Sequence, residues 1–171
     1  MNRGALRLLL AASLALVLAV TVIYVRGYER TLAEGRVVLF ELAPVDPRSM
    51  MQGDFMALEF DVNRQMFDAW SARDEEPPPP YALFLVDQEG RATFLEFAAT
   101  LPPPTGDRLA VRLQRDYGMP RIGPDAFFFP EGTAERYEAA AWGEFRVADD
   151  GSALLTGLRD ARLEPLGRVK R

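Results

Sequence analysis

The sequence predicts a β-rich α+β domain of antiparallel hairpins, with one helix in its C-terminal half, carried behind a single N-terminal transmembrane helix. Three observations predict it. Leu8 to Val25 is a run of 18 residues without a charge. Beyond it, glycine- and proline-bearing turns cut the chain into short β-branched and aromatic runs, which read as strands. Only Ala134 to Trp142 combines helix-forming composition with end signals, Thr133 before it and Gly143 after it.

The N-terminal run comes first. With Ala5 and Leu6 it approaches the ~20 apolar residues that cross ~30 Å of hydrocarbon. It must be helical, because a lone strand would leave its backbone groups unpaired in lipid. Tyr24 and Arg26 close the run at what would be the headgroup boundary. The stretch is long for a cleaved signal peptide, and its far edge offers no small-x-small cleavage site. The expected organisation is an anchor over residues 1–30, spanning about 6–25, and a domain over 31–171. Arg3 and Arg7 precede the span, and Arg26, Arg30 and Arg36 follow it. A short basic head before a long apolar run favours a cytoplasmic N-terminus and an extracytoplasmic domain.

Thr31 to Gly35 reads as a linker, and Val37–Leu42 as a strand. From Phe55 to Val62 the residues alternate: Met56, Leu58, Phe60 and Val62 form an apolar side, a period of two that marks a half-buried strand. Met66, Phe67 and Trp70 have helical spacing, but in a short segment. Ser71–Pro80, ending in four prolines, reads as an exposed loop. Tyr81–Val86 and Ala92–Phe97 flank an Asp87–Gly90 turn, and Phe145–Val147 and Ala153–Leu155 flank Asp149-Asp150-Gly151; both are hairpin signals. Leu109, Val111 and Leu113 mark a further strand and Ala126–Phe129 a short aromatic one. Tyr117 to Pro124 reads as irregular, and Leu163 to Arg171 as a frayed tail.

Composition excludes several chemistries. The chain of 171 residues has no cysteine and no histidine. Thiolate nucleophiles, disulfides and iron–sulfur ligation are therefore absent, together with the commonest general base and zinc ligand. Lys170, beside the C-terminus, is the single lysine, so a Ser–Lys dyad has no credible base. Three of the 20 basic residues and none of the 25 acidic ones lie in residues 1–26, which leaves the remainder at −8. An acidic domain repels a phosphate backbone, so nucleic acid is not an expected partner. No cofactor and no metal site is expected. Asp149, Asp150 and Asp160 lack the regular ligand spacing of a calcium loop.

One motif stands out: Asp46-Pro47-Arg48, then Gly53-Asp54-Phe55, then Leu58 and Phe60. Gly53 suits a left-handed or bulged turn, Asp54 can accept backbone N–H bonds within it, and Arg48 can pair with Asp54 across it. The plain reading is a rigid turn entering a strand. The functional reading is a ligand or partner site made of Arg48, Gly53, Asp54, Phe55, Leu58 and Phe60. The segment resembles the signature of a family of membrane-anchored bacterial proteins, the GDYXXLXY proteins. Gly53, Asp54 and Leu58 match the pattern, while Phe55 and Phe60 stand where the family has tyrosines, keeping the rings without the hydroxyls. Arg121 to Gly132, an aromatic run ending in Pro130-Glu131-Gly132, resembles a second block of the same family. The resemblance implies a single-pass protein of the bacterial inner membrane, of unassigned biochemical function, acting beside a polytopic membrane protein.

The expected function is therefore a non-catalytic extracytoplasmic domain that binds another envelope protein, with membrane lipid as the partner of its N-terminal helix. The alternative is a hydrolase at the membrane surface using paired carboxylates among Asp54, Glu59, Asp61 and Glu131. Convergence of two of these in a pocket is the feature that separates the two readings.

Overall fold

The computed structural model describes residues 3–43, 51–52, 55–73, 78–103, 105–116 and 118–167. It opens with one unbroken helix, α1 (Arg3–Glu34). No proline interrupts it, and at 1.5 Å per residue it runs about 48 Å. Its apolar side chains stay outside the fold, Leu8 exposed to 73% and Ile23 to 70%. A core helix of a soluble protein would bury such residues, so α1 is one helix long and apolar enough to span a membrane.

The expected linker is instead the last turn of this helix. Thr31 is buried, and its hydroxyl donates to the Gly27 carbonyl at 3.1 Å. The chain turns only at Gly35, whose N–H donates to Thr31 O. A Cβ at Gly35 would sit 2.4 Å from that same oxygen, so no other residue fits the bend. Arg146 then donates to the Gly35 carbonyl at 3.1 Å and ties the bend to the domain.

Twelve strands and one further helix are seen among the described residues. Strand β1 (Arg36–Glu41) lies antiparallel to β10 (Ala140–Val147), which pairs with β11 (Ala153–Asp160), which pairs with the two-residue β12 (Pro165–Leu166). A second sheet has β4 (Tyr81–Val86) between β5 (Ala92–Ala98) and β6 (Arg108–Arg112). A third has β3 (Phe55–Ala57) between β2 (Met51–Gln52) and β9 (Ala126–Phe128). Strands β7 (Gln114–Asp116) and β8 (Met119–Arg121) pair separately, and β8 falls within Tyr117 to Pro124, where the sequence reads as irregular. Pairing is antiparallel throughout these ladders, as the hairpin signals predict.

The sheets share an aromatic core. Phe40 of β1 meets Phe84 of β4 edge-on at 5.0 Å and Phe145 of β10 at 5.2 Å. Phe60 meets Phe145 from the other side at 5.3 Å. Edge-to-face pairs of this kind add about 0.5–1.5 kcal/mol each beyond the area they bury.

The helix expected over Ala134–Trp142 does not form. Ala134–Arg136 makes a single 3₁₀ turn, and Ala140 onward is β10. Thr133 does not cap: its hydroxyl donates to Pro130 O at 2.6 Å instead of accepting a helix N–H. Nine residues of helical propensity are marginal alone, and two flanking strands claim the segment. The further helix is α2 (Asp61–Ser71), which carries Met66, Phe67 and Trp70. It begins where a strand to Val62 is expected, yet the alternation predicts burial correctly. Met56, Leu58, Phe60 and Val62 are all buried, and the residues between them are half-exposed. Two loop expectations also change. Pro78 is buried, and Pro165–Leu166 pairs with β11 in place of a tail frayed from Leu163.

Candidate functional site

The two sequence blocks that resemble one family meet in the fold. β3 and β9 are neighbours, with Phe55 opposite Phe128, Met56 opposite Phe127 and Ala57 opposite Ala126. The Leu58 N–H extends the join by donating to Asp125 O at 2.8 Å. Asp125 is ion-paired with Arg121, so the segment entering β9 is braced at both ends.

Three of the six motif residues lie outside the described residues: Arg48, Gly53 and Asp54, and with them the Arg48–Asp54 pair. The other three divide into two roles. Leu58 and Phe60 belong to the core. The Phe60 ring lies between two glycines: a Cβ at Gly123 would come within 2.7 Å of it, and one at Gly143 within 2.6 Å. Gly123 also has φ +72°, a conformation that favours glycine in its own right. Phe55 instead lies at the surface, its ring 5.7 Å from that of Phe128. Phe128 is 75% exposed, far more than a ring in a paired strand needs to be.

A groove of about 330 Å³ opens between α2 and β8. Phe67, Met119 and Pro120 give it an apolar wall, and Glu59, Arg64 and Arg121 bring charge. Glu59 comes from inside the motif. Its neighbour Asn63 is a residue that sequence reasoning missed. Its amide is buried and reads both backbone groups of Ile122: Oδ1 accepts the Ile122 N–H at 2.9 Å, and Nδ2 donates to Ile122 O at 3.4 Å. An asparagine three residues before Met66 on the buried side of a helix was the available signal.

Among the described residues, the carboxylates proposed for hydrolysis do not converge, Asp54 lying outside them. Of Glu59, Asp61 and Glu131 only Glu59 lines the groove. Asp61 accepts a bond from Gln65 at 2.7 Å, and Glu131 is exposed. The turn aspartates serve their own backbones. Asp150 accepts the Ser152 N–H and hydroxyl, both at 2.9 Å, and Asp160 accepts the N–H groups of Arg162 and Glu164. The Ser152 amide, more than its hydroxyl, holds the Asp150 carboxyl below its ordinary value. The arrangement offers an apolar, aromatic contact surface with charges at its margin.

Fold and sequence together define a β-rich α+β domain behind an apolar helix of membrane-spanning length. The family model of the GDYXXLXY proteins matches residues 17–158, and the chain belongs to that family. No curated protein and no solved structure matches it.

Proposed function

We propose that this chain is a non-catalytic binding domain, anchored by α1 in the bacterial inner membrane with its domain on the extracytoplasmic side, which docks on a polytopic membrane protein through the surface around Phe55 and Phe128. The observation that supports the reading most is Phe128, 75% exposed beside Phe55 at the place where the two family blocks pair. A large ring held outside the core on a two-sided strand join costs solubility and adds no core packing. Aromatic residues of this kind carry much of the energy of protein contacts. The absence of histidine and cysteine, and the dispersal of the described carboxylates, favour binding over catalysis.

The test is a photo-crosslinking amino acid at position 128 in the full-length chain, activated in intact cells. A discrete adduct with an integral membrane protein is expected, and Phe128→Asp should reduce recovery of that protein in mild detergent at least fivefold without changing the thermal unfolding of the chain. An unmodified band after irradiation, or full recovery with Phe128→Asp, would refute the reading.

A further inference from the structure

Where α1 leaves its apolar run it does not stand clear of the domain. Between its last turns and the β10–β11 hairpin lies a cavity of about 310 Å³, lined on the helix side by Gly27, Arg30, Thr31 and Glu34 and on the hairpin side by Asp149 and Asp150. That is large enough for a small polar group, at the lower end of ordinary ligand sites. A methyl placed on Gly27 would meet no heavy atom within 4 Å, so the absent side chain leaves open space there.

The depth of the cavity follows from the helix. The uncharged run ends at Val25. At 1.5 Å per residue Gly27 is about 3 Å beyond it, and Arg30 about 7 Å. The headgroup layer on each side of a bilayer is ~5–8 Å thick. The end of the cavity lined by Gly27 and Arg30 therefore lies within that layer whenever α1 spans the membrane, and Glu34, roughly 13 Å past Val25, reaches beyond it.

We infer that this cavity is a site for the headgroup of a phospholipid bearing a primary ammonium, of the phosphatidylethanolamine class, an inference that rests on the anchoring proposed above. Three properties of the lining select that headgroup. Arg30 offers a planar guanidinium fork, which suits a phosphate. Its bond to Glu34, 2.8 Å between two exposed side chains one helical turn apart, is of the kind that exchanges at little cost. Glu34, Asp149 and Asp150 are balanced by Arg30 together with Arg112 at Asp150 O and Arg146 at Gly35 O, so the site carries no net positive charge to favour an anionic headgroup, while its carboxylates attract a cationic amine. The lining contains no aromatic ring, the usual receptor of a quaternary ammonium, whereas carboxylates accept directly from the three N–H donors of a primary one.

The experiment is native mass spectrometry of the full-length chain in mild detergent, titrated with equimolar phosphatidylethanolamine, phosphatidylcholine and phosphatidylglycerol. At least fivefold preferential retention of the ethanolamine lipid is expected. Gly27→Leu, which fills the open space, and Asp149→Lys, which reverses one wall, should each remove the preference. Ala33→Leu, on the same helix but outside the lining, should keep it. Equal retention of the three lipids by the unaltered chain, persistence of the preference in Gly27→Leu, or its loss in Ala33→Leu would each overturn the inference. Resistance to alkaline carbonate extraction separates the two layers of the argument. A chain that carbonate extracts overturns the anchor and this site together; a resistant chain without lipid preference overturns the site alone.

Discussion

Replacing Gly143 by alanine probes the packing around the motif most directly. Gly143 lies in β10, paired with Phe40 on one side and Leu158 on the other. Its added methyl would meet Phe60 Cε1 at 2.6 Å, Phe145 Cε2 at 3.1 Å and Leu155 Cδ1 at 3.2 Å. Carbon atoms prefer about 3.5–4.0 Å, so the first contact is roughly 1 Å too close. Phe60 and Phe145 are both fully buried and touch each other, which leaves neither ring free to retreat. Overpacking of this kind costs about 1–3 kcal/mol, from which the relief of glycine entropy in a strand returns about 0.5–1 kcal/mol. With neither ring able to retreat, the overpacking cost falls in the upper half of that range, about 2–3 kcal/mol, and the net loss of about 1–2.5 kcal/mol lowers Tm by about 2–10 °C in a domain of this size. The assay is urea unfolding of the detergent-solubilised chain, followed by fluorescence of Trp142, the neighbour of Gly143. Phe60→Leu supplies the second arm, because it removes the atoms that the methyl strikes. The double variant should be more stable than the sum of the two single losses implies, by about 1 kcal/mol or more. A neutral Gly143→Ala, or additive losses, would refute the claim that Phe60 occupies a slot between glycines.

Three further outcomes follow from the geometry. Asn63→Leu strands both backbone groups of Ile122 in a buried site and should lower stability by about 1–3 kcal/mol, read as a shift in urea midpoint at constant slope. Phe55→Tyr, which supplies the hydroxyl of the family pattern at a half-exposed ring, should leave stability within about 0.5 kcal/mol, checked in the same titration. Asp150 has a folded pKa below its ordinary value, so its carboxylate stabilises the fold above its unfolded pKa of ~3.9, and that contribution is lost as pH falls through the lower folded value. Asp150→Asn should therefore differ from the unaltered chain in Tm at neutral pH, and the difference should shrink as the pH is lowered below ~4.

Much of this architecture was legible because its causes are local. Eighteen uncharged residues in a row admit few interpretations, and the period of two from Met56 to Val62 assigned a buried side even where the strand gives way to α2. The hairpins at Gly90 and Gly151 announce themselves through an aspartate followed by a glycine at positive φ. The misplaced helix shows the opposite case. Ala134 to Trp142 has helical composition, and Gly143 looks like a stop signal. The real requirement on Gly143 comes from the Phe60 ring, which is distant in sequence. Gly35 likewise reads in sequence as part of a linker, because the Thr31 carbonyl and Arg146 that enclose it are brought there only by the fold. Of the candidate site, the exposed ring at position 128 was the part least visible, since an aromatic run does not disclose which of Phe127, Phe128 and Phe129 faces water.

The bend at Gly35 has a consequence for how the domain meets its surroundings. Because α1 continues without interruption into a turn that only glycine can make, the helix acts as an axle and the sheets turn with it. Each residue of an α-helix advances the azimuth by about 100° and the height by about 1.5 Å. One residue inserted upstream of Gly27 would swing Phe55 and Phe128 about a quarter-turn around the axis of α1 while barely lifting them. Seven residues would restore their compass heading to within about 20° but raise them about 10 Å. The direction in which the aromatic pair faces is thus written in the helical phase of α1, and under the docking proposed above a partner would be selected by angle as well as by chemistry.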